Sequence, residues 1–151
     1  MIKIICVGKL KEKFFEEACQ EYIKRLSKYT KLEIIEIPDF KSDIPSIELE
    51  KEKEKILPKI DGRDFIITLE IEGQQLNSIE FSEKLDKFMM ENANITFIIG
   101  GSSGLHNDIK LRANYSLSFS KMTFPHQLFR ILLLEQIYRC FKIIHKETYH
   151  K

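Results

Sequence analysis

Three closely spaced glycines are the clearest chemical signal in the sequence. The apolar run 95–99 ends at the pair Gly100 and Gly101, and Gly104 follows three residues later. A strand that leads into a glycine-rich turn often holds a nucleotide phosphate. The spacing here is G-G-x-x-G rather than G-x-G-x-x-G, and no Lys-Ser or Lys-Thr pair follows as in a P-loop. Neither phosphate cradle is present, so the glycines indicate close approach of either a ligand or another chain segment.

Basic residues and histidines are concentrated in the C-terminal third. Residues 105–151 carry eight basic and three acidic side chains, whereas residues 1–104 carry 16 basic and 20 acidic ones. All four histidines lie in the same part, at His106, His126, His145 and His150. A positive region of this kind suits a polyanion such as RNA. A helix with a solvated basic face explains the same pattern, and the two interpretations stay open at this point.

Cysteine usage and hydropathy exclude several classes of protein. Cys6, Cys19 and Cys140 are far apart and odd in number, which fits neither a disulfide framework nor a zinc site. All three stand in apolar segments, so we expect them to be buried and reduced in a cytoplasmic protein. No apolar run approaches the roughly 20 residues that cross a bilayer, and the first residues predict a strand rather than a signal peptide. We therefore expect no membrane partner. The sequence also has no carboxylate–histidine cluster at ligand spacing, so we expect no bound metal.

The elements that must position the glycine turn alternate between strands and helices. The periodicity predicts strands at 2–7, 32–37, 65–71, 95–99 and 115–119, and helices at about 11–29, 47–60, 78–92, 105–111 and 125–146. The charge run in the second helix predicts a solvated face. This alternation predicts an α/β fold with a mostly parallel sheet flanked by helices. The length of 151 residues and the lack of a linker predict a single domain, 1–151.

Three loops are expected to meet at one edge of this sheet. In open α/β sheets, ligands bind beyond the carboxyl ends of the strands. The stretch after Leu69, the turn at Gly100 and the segment 118–127 all follow predicted strands in the second half of the chain. A ligand site so late in the chain departs from the order of a dinucleotide-binding fold.

Several stretches resemble one known family in order and at matching distances. They are TLEIEG at 68–73, FIIGGSSGLH at 97–106, LSFSKMTFPHQLFR at 117–130, LLLEQIYRCFKI at 132–143 and YHK at 149–151, with VGKLKEKFF and EYIKRL near the start. Together they resemble the ribosomal RNA large subunit methyltransferase H family, the pseudouridine N3-methyltransferases of the SPOUT superfamily. SFSKMTFPHQ with the terminal YHK is highly specific, whereas GGSSGLH alone is weak. The resemblance covers essentially the whole chain.

The resemblance implies a fold, a cofactor and partners. The sheet would carry a deep C-terminal trefoil knot, a rare exception to the rule against threaded chains. The cofactor would be S-adenosylmethionine, and the protein would be a homodimer whose active sites are shared between subunits. The substrate would be a pseudouridine of 23S ribosomal RNA within the assembled ribosome, so the protein would act in rRNA processing.

The family pattern also assigns the cofactor contacts. They come from the leucine of the TLEI stretch, the first glycine of the IGG turn and the segment after the last strand. The corresponding residues here are Leu69, Gly100, Phe119, Ser120, Lys121, Met122, Thr123 and Phe124. The resemblance thus implies that the glycine turn holds S-adenosylmethionine and that its glycines clear space for it.

Catalytic roles are implied for three residues. The imide N3 of pseudouridine is protonated at neutral pH, so the site needs a proton acceptor or cations that stabilise the imide anion. The resemblance gives Tyr149 and His150 a role in substrate binding or catalysis, although a chain end ordinarily frays. His126, beside the cofactor segment, is the third candidate. Whether a general base exists, and which subunit supplies each group, stays open.

Three further residues are expected to bind the RNA. Arg130 and Arg139 can bind phosphate with two parallel hydrogen bonds, and Lys151 belongs to the terminal YHK motif. For both arginines, a structural ion pair with Glu135 is the alternative. A non-catalytic RNA-binding module and an α/β enzyme for another nucleotide are the competing functions, and binding of S-adenosylmethionine separates both from a methyltransferase.

Overall fold

The fold is described from a computed structural model that covers residues 1–151. Strands and helices alternate along the chain. In order they are β1 Ile2–Val7, α1 Lys13–Leu26, β2 Leu32–Ile37, α2 Pro45–Ile56, β3 Phe65–Gln75, α3 Ser78–Glu91, β4 Ile95–Ile99, α4 Asn107–Leu111, β5 Tyr115–Ser118 and α5 His126–Ile144, with a 3-10 turn at Leu57–Lys59.

The five strands form one parallel sheet in the order β2-β1-β4-β3-β5. Ile4 in β1 lies opposite Ile34 in β2 and Phe97 in β4, so β1 and β4 form the centre. Both are buried along their whole length, as parallel strands covered on two faces must be. The predicted α/β class with a parallel sheet and flanking helices is confirmed, while the knot stays a prediction.

The two faces of the sheet are covered unequally. One face packs against α1, α3 and α5 and contributes to a core of 18 buried residues, among them Phe97, Leu85 and Leu133. The other face packs against α2 and α4 around eight buried residues, including Ile5 and Ile109. The thinner face therefore lies under the highly charged helix α2 and the five-residue helix α4.

The end of the third strand was predicted wrongly for an identifiable reason. The strand was expected to end at residue 71, yet β3 continues to Gln75. A Cβ on Gly73 would lie 2.8 Å from the backbone of Ser116 and Leu117, so the glycine admits the neighbouring strand β5. Helix α3 begins at residue 78 as predicted, and Asn77 caps it: its side-chain oxygen accepts from the backbone N–H of Glu80, whose carboxylate accepts in return from the backbone N–H of Asn77.

The cysteines match the expectation drawn from their surroundings. Cys6, Cys19 and Cys140 are buried free thiols. Burial raises the pKa of the Cys6 thiol to about 11, so this group is protonated and unreactive at neutral pH. None of the helices combines the length and the apolar character that a membrane crossing requires.

Candidate active site

A cavity of about 770 Å³ lies at the carboxyl edge of the sheet, where β3, β4 and β5 end. Its wall consists of residues 69–72 in β3, the turn 99–105 after β4 and most of the segment 117–126 that leads into α5. Lys110 of α4 and Phe129 of α5 complete it. Residues 69–72 are part of β3 rather than a loop, but the three regions that were expected to share one edge do enclose one cavity.

Seven of the eight residues that the resemblance assigns to the cofactor line this cavity. They are Leu69, Gly100, Phe119, Ser120, Met122, Thr123 and Phe124. The eighth, Lys121, is exposed and does not line it. These residues are brought together from three separate strand ends by the parallel pairing of β3 with β4 and β5.

The glycine turn is closed on itself. Gly101 and Gly104 pair across the turn, the Gly104 N–H donates to the Gly101 carbonyl at 3.1 Å, and Gly104 has a φ of +82°. A Cβ on Gly100 would overlap the Gly104 carbonyl. The prediction that these glycines clear space for a ligand is therefore wrong at Gly100. The space that a Cβ would occupy there is filled by the backbone of the turn itself.

A buried acid stands behind the same turn. A Cβ on Gly101 would lie 3.1 Å from Oε2 of Glu52, a residue of α2 that is only 4% exposed and whose Oε2 has no hydrogen-bond partner. Burial raises the pKa of the Glu52 carboxyl to about 7, and the negative charges of Asp39 and Glu48 add to the effect. The sequence had predicted that the charged side chains of α2 face solvent. The prediction is wrong at Glu52, which is buried. No periodicity marks Glu52 among its neighbours.

The segment 118–124 is braced by its own serines. The Ser118 hydroxyl donates to the Ser120 carbonyl at 3.1 Å, and the Ser120 hydroxyl accepts from the Met122 N–H at 3.0 Å. Phe119 packs against Phe129 with ring centroids 4.9 Å apart. The segment therefore presents aromatic surface together with backbone polar groups, the combination that ligand cavities favour.

Three charged residues of the cavity wall were missed from the sequence, namely Glu70, Glu72 and Lys110. Glu70 Oε2 accepts hydrogen bonds from the hydroxyls of Thr68 at 2.7 Å and Ser116 at 2.8 Å. Lys110 Nζ lies 3.6 Å from the other carboxylate oxygen, Oε1. The signal available was that Glu70 directly follows Leu69 in TLEIEG; Lys110 had no signal, because only the fold brings α4 to β3.

His126 and Arg130 lie at the end of β1. His126 lines the cavity, and its Nε2 is 2.7 Å from the point where a Cβ on Gly8 would stand. The Arg130 guanidinium is buried and donates from Nη1 to Glu36 Oε2 at 2.8 Å and from Nη2 to the Gly8 carbonyl at 3.0 Å. Arg130 thus forms an ion pair, with Glu36 rather than the suggested Glu135, and in this conformation it offers no exposed face to RNA.

The C-terminal tail packs on α5 of its own chain. Arg139 donates from Nε to Glu135 at 3.0 Å, its Nη1 lies 3.1 Å from His150 Nδ1, and its guanidinium covers the Tyr149 ring at 4.8 Å. The Tyr149 hydroxyl donates to Glu135 Oε1 at 3.1 Å. Lys151 follows as an exposed residue. For Arg139, the alternative pairing with Glu135 is therefore present, while one nitrogen faces the tail.

The structure does not bring the tail to the 770 Å³ cavity. His150 instead lines a second cavity of about 560 Å³, between the start of α3 and the segment 117–119, whereas His126 lines the first. Burial and the Glu135 carboxylate raise the pKa of the Tyr149 phenol to about 12. Tyr149 is therefore a neutral hydrogen-bond donor at physiological pH and not a base.

Comparison with known proteins places the chain in a family. A family model described as "Predicted SPOUT methyltransferase" matches residues 1–150. The chain belongs to this family. The structure of a probable methylase family protein from Haemophilus influenzae Rd KW20 is similar, with a TM-score of 0.62 and 13% identity over 99% of this chain and 70% of that one. At this identity, the likeness concerns the fold alone.

Members of the SPOUT family generally transfer a methyl group from S-adenosylmethionine. The cavity suits such a group, because its volume falls within the roughly 300–1,000 Å³ of small-molecule sites and its wall combines aromatic side chains with charged and backbone polar groups. No group of three or more His, Cys, Asp or Glu side chains is arranged to hold a metal ion. This SPOUT methyltransferase thus carries a cavity large enough for the cofactor at the edge of the sheet formed by β3, β4 and β5.

Proposed function

We propose that this protein methylates N3 of a pseudouridine in 23S ribosomal RNA, with S-adenosylmethionine as the methyl donor. It acts in the cytoplasm as a homodimer on the assembled ribosome. The observation that carries the proposal is the cavity at which residues 69–72 of β3 meet the segments after β4 and β5. The family membership and the TLEIEG, GGSSGLH, SFSKMTFPHQ and YHK stretches support the choice of reaction.

Leu69, Gly100 and the segment 119–124 would hold the cofactor. When bound, S-adenosylmethionine supplies an electrophilic methyl group that needs no activation. The protein's main task is then to align the nucleophile with that methyl group. Correct alignment alone accelerates the transfer strongly. The self-braced segment 118–124 serves this task, because its serine hydrogen bonds limit its freedom before any ligand arrives.

The nucleophile must lose a proton before it can react. His126 is the only one of the three proposed catalytic residues that lines the cavity, and we assign it the role of proton acceptor. Tyr149, with its raised pKa, is assigned to stacking on the base or donating a hydrogen bond. His150 and Lys151 would bind the RNA beside it.

The tail is proposed to act in the active site of the partner subunit. Within one chain, Tyr149 and His150 contact α5 and the second cavity rather than the first. Sharing between subunits resolves this separation without unfolding the tail. A single small domain also offers limited surface compared with the roughly 1,000–2,500 Å² of specific protein–nucleic acid interfaces, which favours a dimer and a substrate recognised by its ribosomal shape.

A methyl-transfer assay tests the function. Radiolabelled S-adenosylmethionine is incubated with assembled ribosomes, free large subunits and naked 23S RNA, and the RNA is digested and analysed by mass spectrometry. We expect label in N3-methylpseudouridine, with the highest yield from assembled ribosomes. Label on another nucleoside, or no label from any of the three substrates, would contradict the proposal.

Two variants test the assigned roles in the same assay. His126→Asn is expected to lower methyl transfer by about 10²–10⁴-fold, the usual contribution of a general base, while His145→Asn, on the exposed end of α5, leaves it unchanged. Removal of residues 149–151 is expected to abolish transfer but to preserve binding of S-adenosylmethionine. Unchanged transfer after this truncation would remove the tail from the mechanism.

A further inference from the structure

Two opposite charges face the same part of the cavity wall. Glu70, on β3, and Lys110, on α4, both line the cavity, and their side chains are 11% and 35% exposed. They are distant in sequence and meet only because α4 packs beside the end of β3. Glu70 stands in the TLEI stretch beside Leu69, but neither Glu70 nor Lys110 is among the residues that the cofactor pattern assigns.

Each of the two groups keeps unused bonding capacity. Glu70 Oε2 is occupied by the hydroxyls of Thr68 and Ser116, which fixes the carboxylate in the wall. Glu70 Oε1 receives no hydrogen bond, because Lys110 Nζ is 3.6 Å away, beyond hydrogen-bond distance. A carboxylate oxygen and an ammonium group therefore stand side by side at the cavity without saturating each other.

The ligand chemistry that matches this arrangement is a zwitterion. An α-amino acid carries an ammonium group and a carboxylate two bonds apart, so the two can meet a carboxylate and an ammonium placed next to each other. We propose that Glu70 accepts from the α-ammonium of the amino-acid end of S-adenosylmethionine and that Lys110 donates to its α-carboxylate. This inference rests on the proposed function, because it assigns the amino-acid end of the same cofactor.

The proposal separates two parts of the ligand that can be measured separately. S-adenosylhomocysteine carries the adenosine, the sulfur and the amino-acid end, whereas 5′-methylthioadenosine carries only the adenosine and the sulfur. A charged hydrogen bond contributes enough to change affinity by about 10–100-fold. Loss of Glu70 or Lys110 should therefore lower the affinity for S-adenosylhomocysteine and leave the affinity for 5′-methylthioadenosine unchanged.

Titration calorimetry with these two ligands tests the proposal on the full-length protein. The variants are Glu70→Gln, which keeps an acceptor oxygen for Thr68 and Ser116, and Lys110→Met, which keeps the aliphatic stem. The controls are Glu83→Gln, an exposed acidic position on α3 that lines neither cavity, and Arg112→Met, an exposed position just after α4. We expect both test variants to lower the affinity for S-adenosylhomocysteine by about 10–100-fold and the affinity for 5′-methylthioadenosine by less than twofold.

Three results would overturn this assignment. If the affinity for both ligands falls equally, Glu70 and Lys110 have a structural role. If neither affinity changes, the two residues do not bind the ligand. An equal loss of affinity in Glu83→Gln attributes the effect to the overall charge of the protein. Because Lys110 lies on a surface helix, Lys110→Met carries the test alone if Glu70→Gln does not fold. If the wild-type protein binds neither ligand, the proposed function itself fails, a result distinct from the other three.

Discussion

The carboxyl ends of β1 and β4 are built alike but are used differently. Both strands are central and fully buried, and each is followed at once by a glycine, Gly8 or Gly100. At the end of β1, helix α5 fills the space with His126 and Arg130. At the end of β4, the closed turn borders an open cavity of about 770 Å³. A glycine at a strand end therefore does not define a site; the segment that later covers it does.

The two ends also differ in the buried charge behind them. Arg130 at the end of β1 is paired with Glu36 and bonded to the Gly8 carbonyl. Glu52 at the end of β4 has an unpartnered carboxylate oxygen. Removing one partner of a buried ion pair leaves an uncompensated charge, whereas an unpaired buried acid is favoured in its neutral form. Substitutions at the two strand ends test this contrast.

Gly100→Ala is expected to have the largest effect. The added Cβ overlaps the Gly104 carbonyl, so the backbone of the turn must move and the cavity wall changes shape. We expect affinity for S-adenosylmethionine to fall by more than about 100-fold, equivalent to about 3 kcal/mol, as measured by calorimetry. Gly62→Ala is the control, because nothing lies within 4 Å of its Cβ. Wild-type affinity in Gly100→Ala would separate the turn from the site.

Arg130→Met is expected to destabilise the β1 end. It leaves the Gly8 carbonyl and Glu36 without their partner, and because Glu36 is half-exposed we expect a loss of about 2–4 kcal/mol in the free energy of unfolding. Thermal unfolding should show a Tm lower by roughly 5–12 °C. Arg139→Met, on the same helix but less buried, serves as control and should lose less. If the two variants lose the same stability, the burial of Arg130 has no special importance.

Glu52→Gln is expected to change how stability depends on pH. In the folded protein the pKa of Glu52 is about 7, above its ordinary value near 4.5. Between these two pH values the unfolded chain has lost the proton while the folded chain keeps it, so wild-type stability falls as pH rises from about 4.5 to 7. The variant lacks this loss and should be more stable at pH 8 by about 2–3 kcal/mol. Urea unfolding at pH 4.5 and pH 8 measures the difference, and parallel pH profiles of the two proteins would contradict it.

Gly8→Ala is expected to have the smallest effect. Its φ of +97° strains any residue with a Cβ, at a cost of about 1–2 kcal/mol. The group in the way is the far end of the His126 side chain, which can move aside. Affinity for S-adenosylmethionine should therefore change by less than about threefold, a difference below 1 kcal/mol. A loss as large as that of Gly100→Ala would mean that the end of β1 contributes directly to cofactor binding.

The elements that depend on local pattern were predictable from the sequence. The strands 2–7, 32–37 and 95–99 agree with the structure to the residue, because each is a short apolar run that stops at Gly8, Pro38 or Gly100. The shared edge of the three later loops followed from the same pattern and the rule for parallel sheets. Fold class and the location of a cavity are thus properties of local sequence and topology.

What could not be predicted depends on pairs of residues that are distant in sequence. Arg130 meets Glu36 across 94 positions, and Gly73 continues a strand only because β5 arrives beside it. Glu52 is buried although its helix is among the most charged parts of the chain, since the glycine turn closes over it. In each case the deciding neighbour lies on another element, where no local spacing records it.

The central claim is that residues 69–72 of β3 and the segments after β4 and β5 bind one ligand together. Hydrogen–deuterium exchange with and without S-adenosylmethionine tests it most directly. The account predicts slower exchange in residues 69–72, 100–105 and 118–124 on addition of the ligand, with little change in the loop 8–11 after β1. Slowing confined to one of the three segments, or slowing of the β1 loop alone, would contradict it.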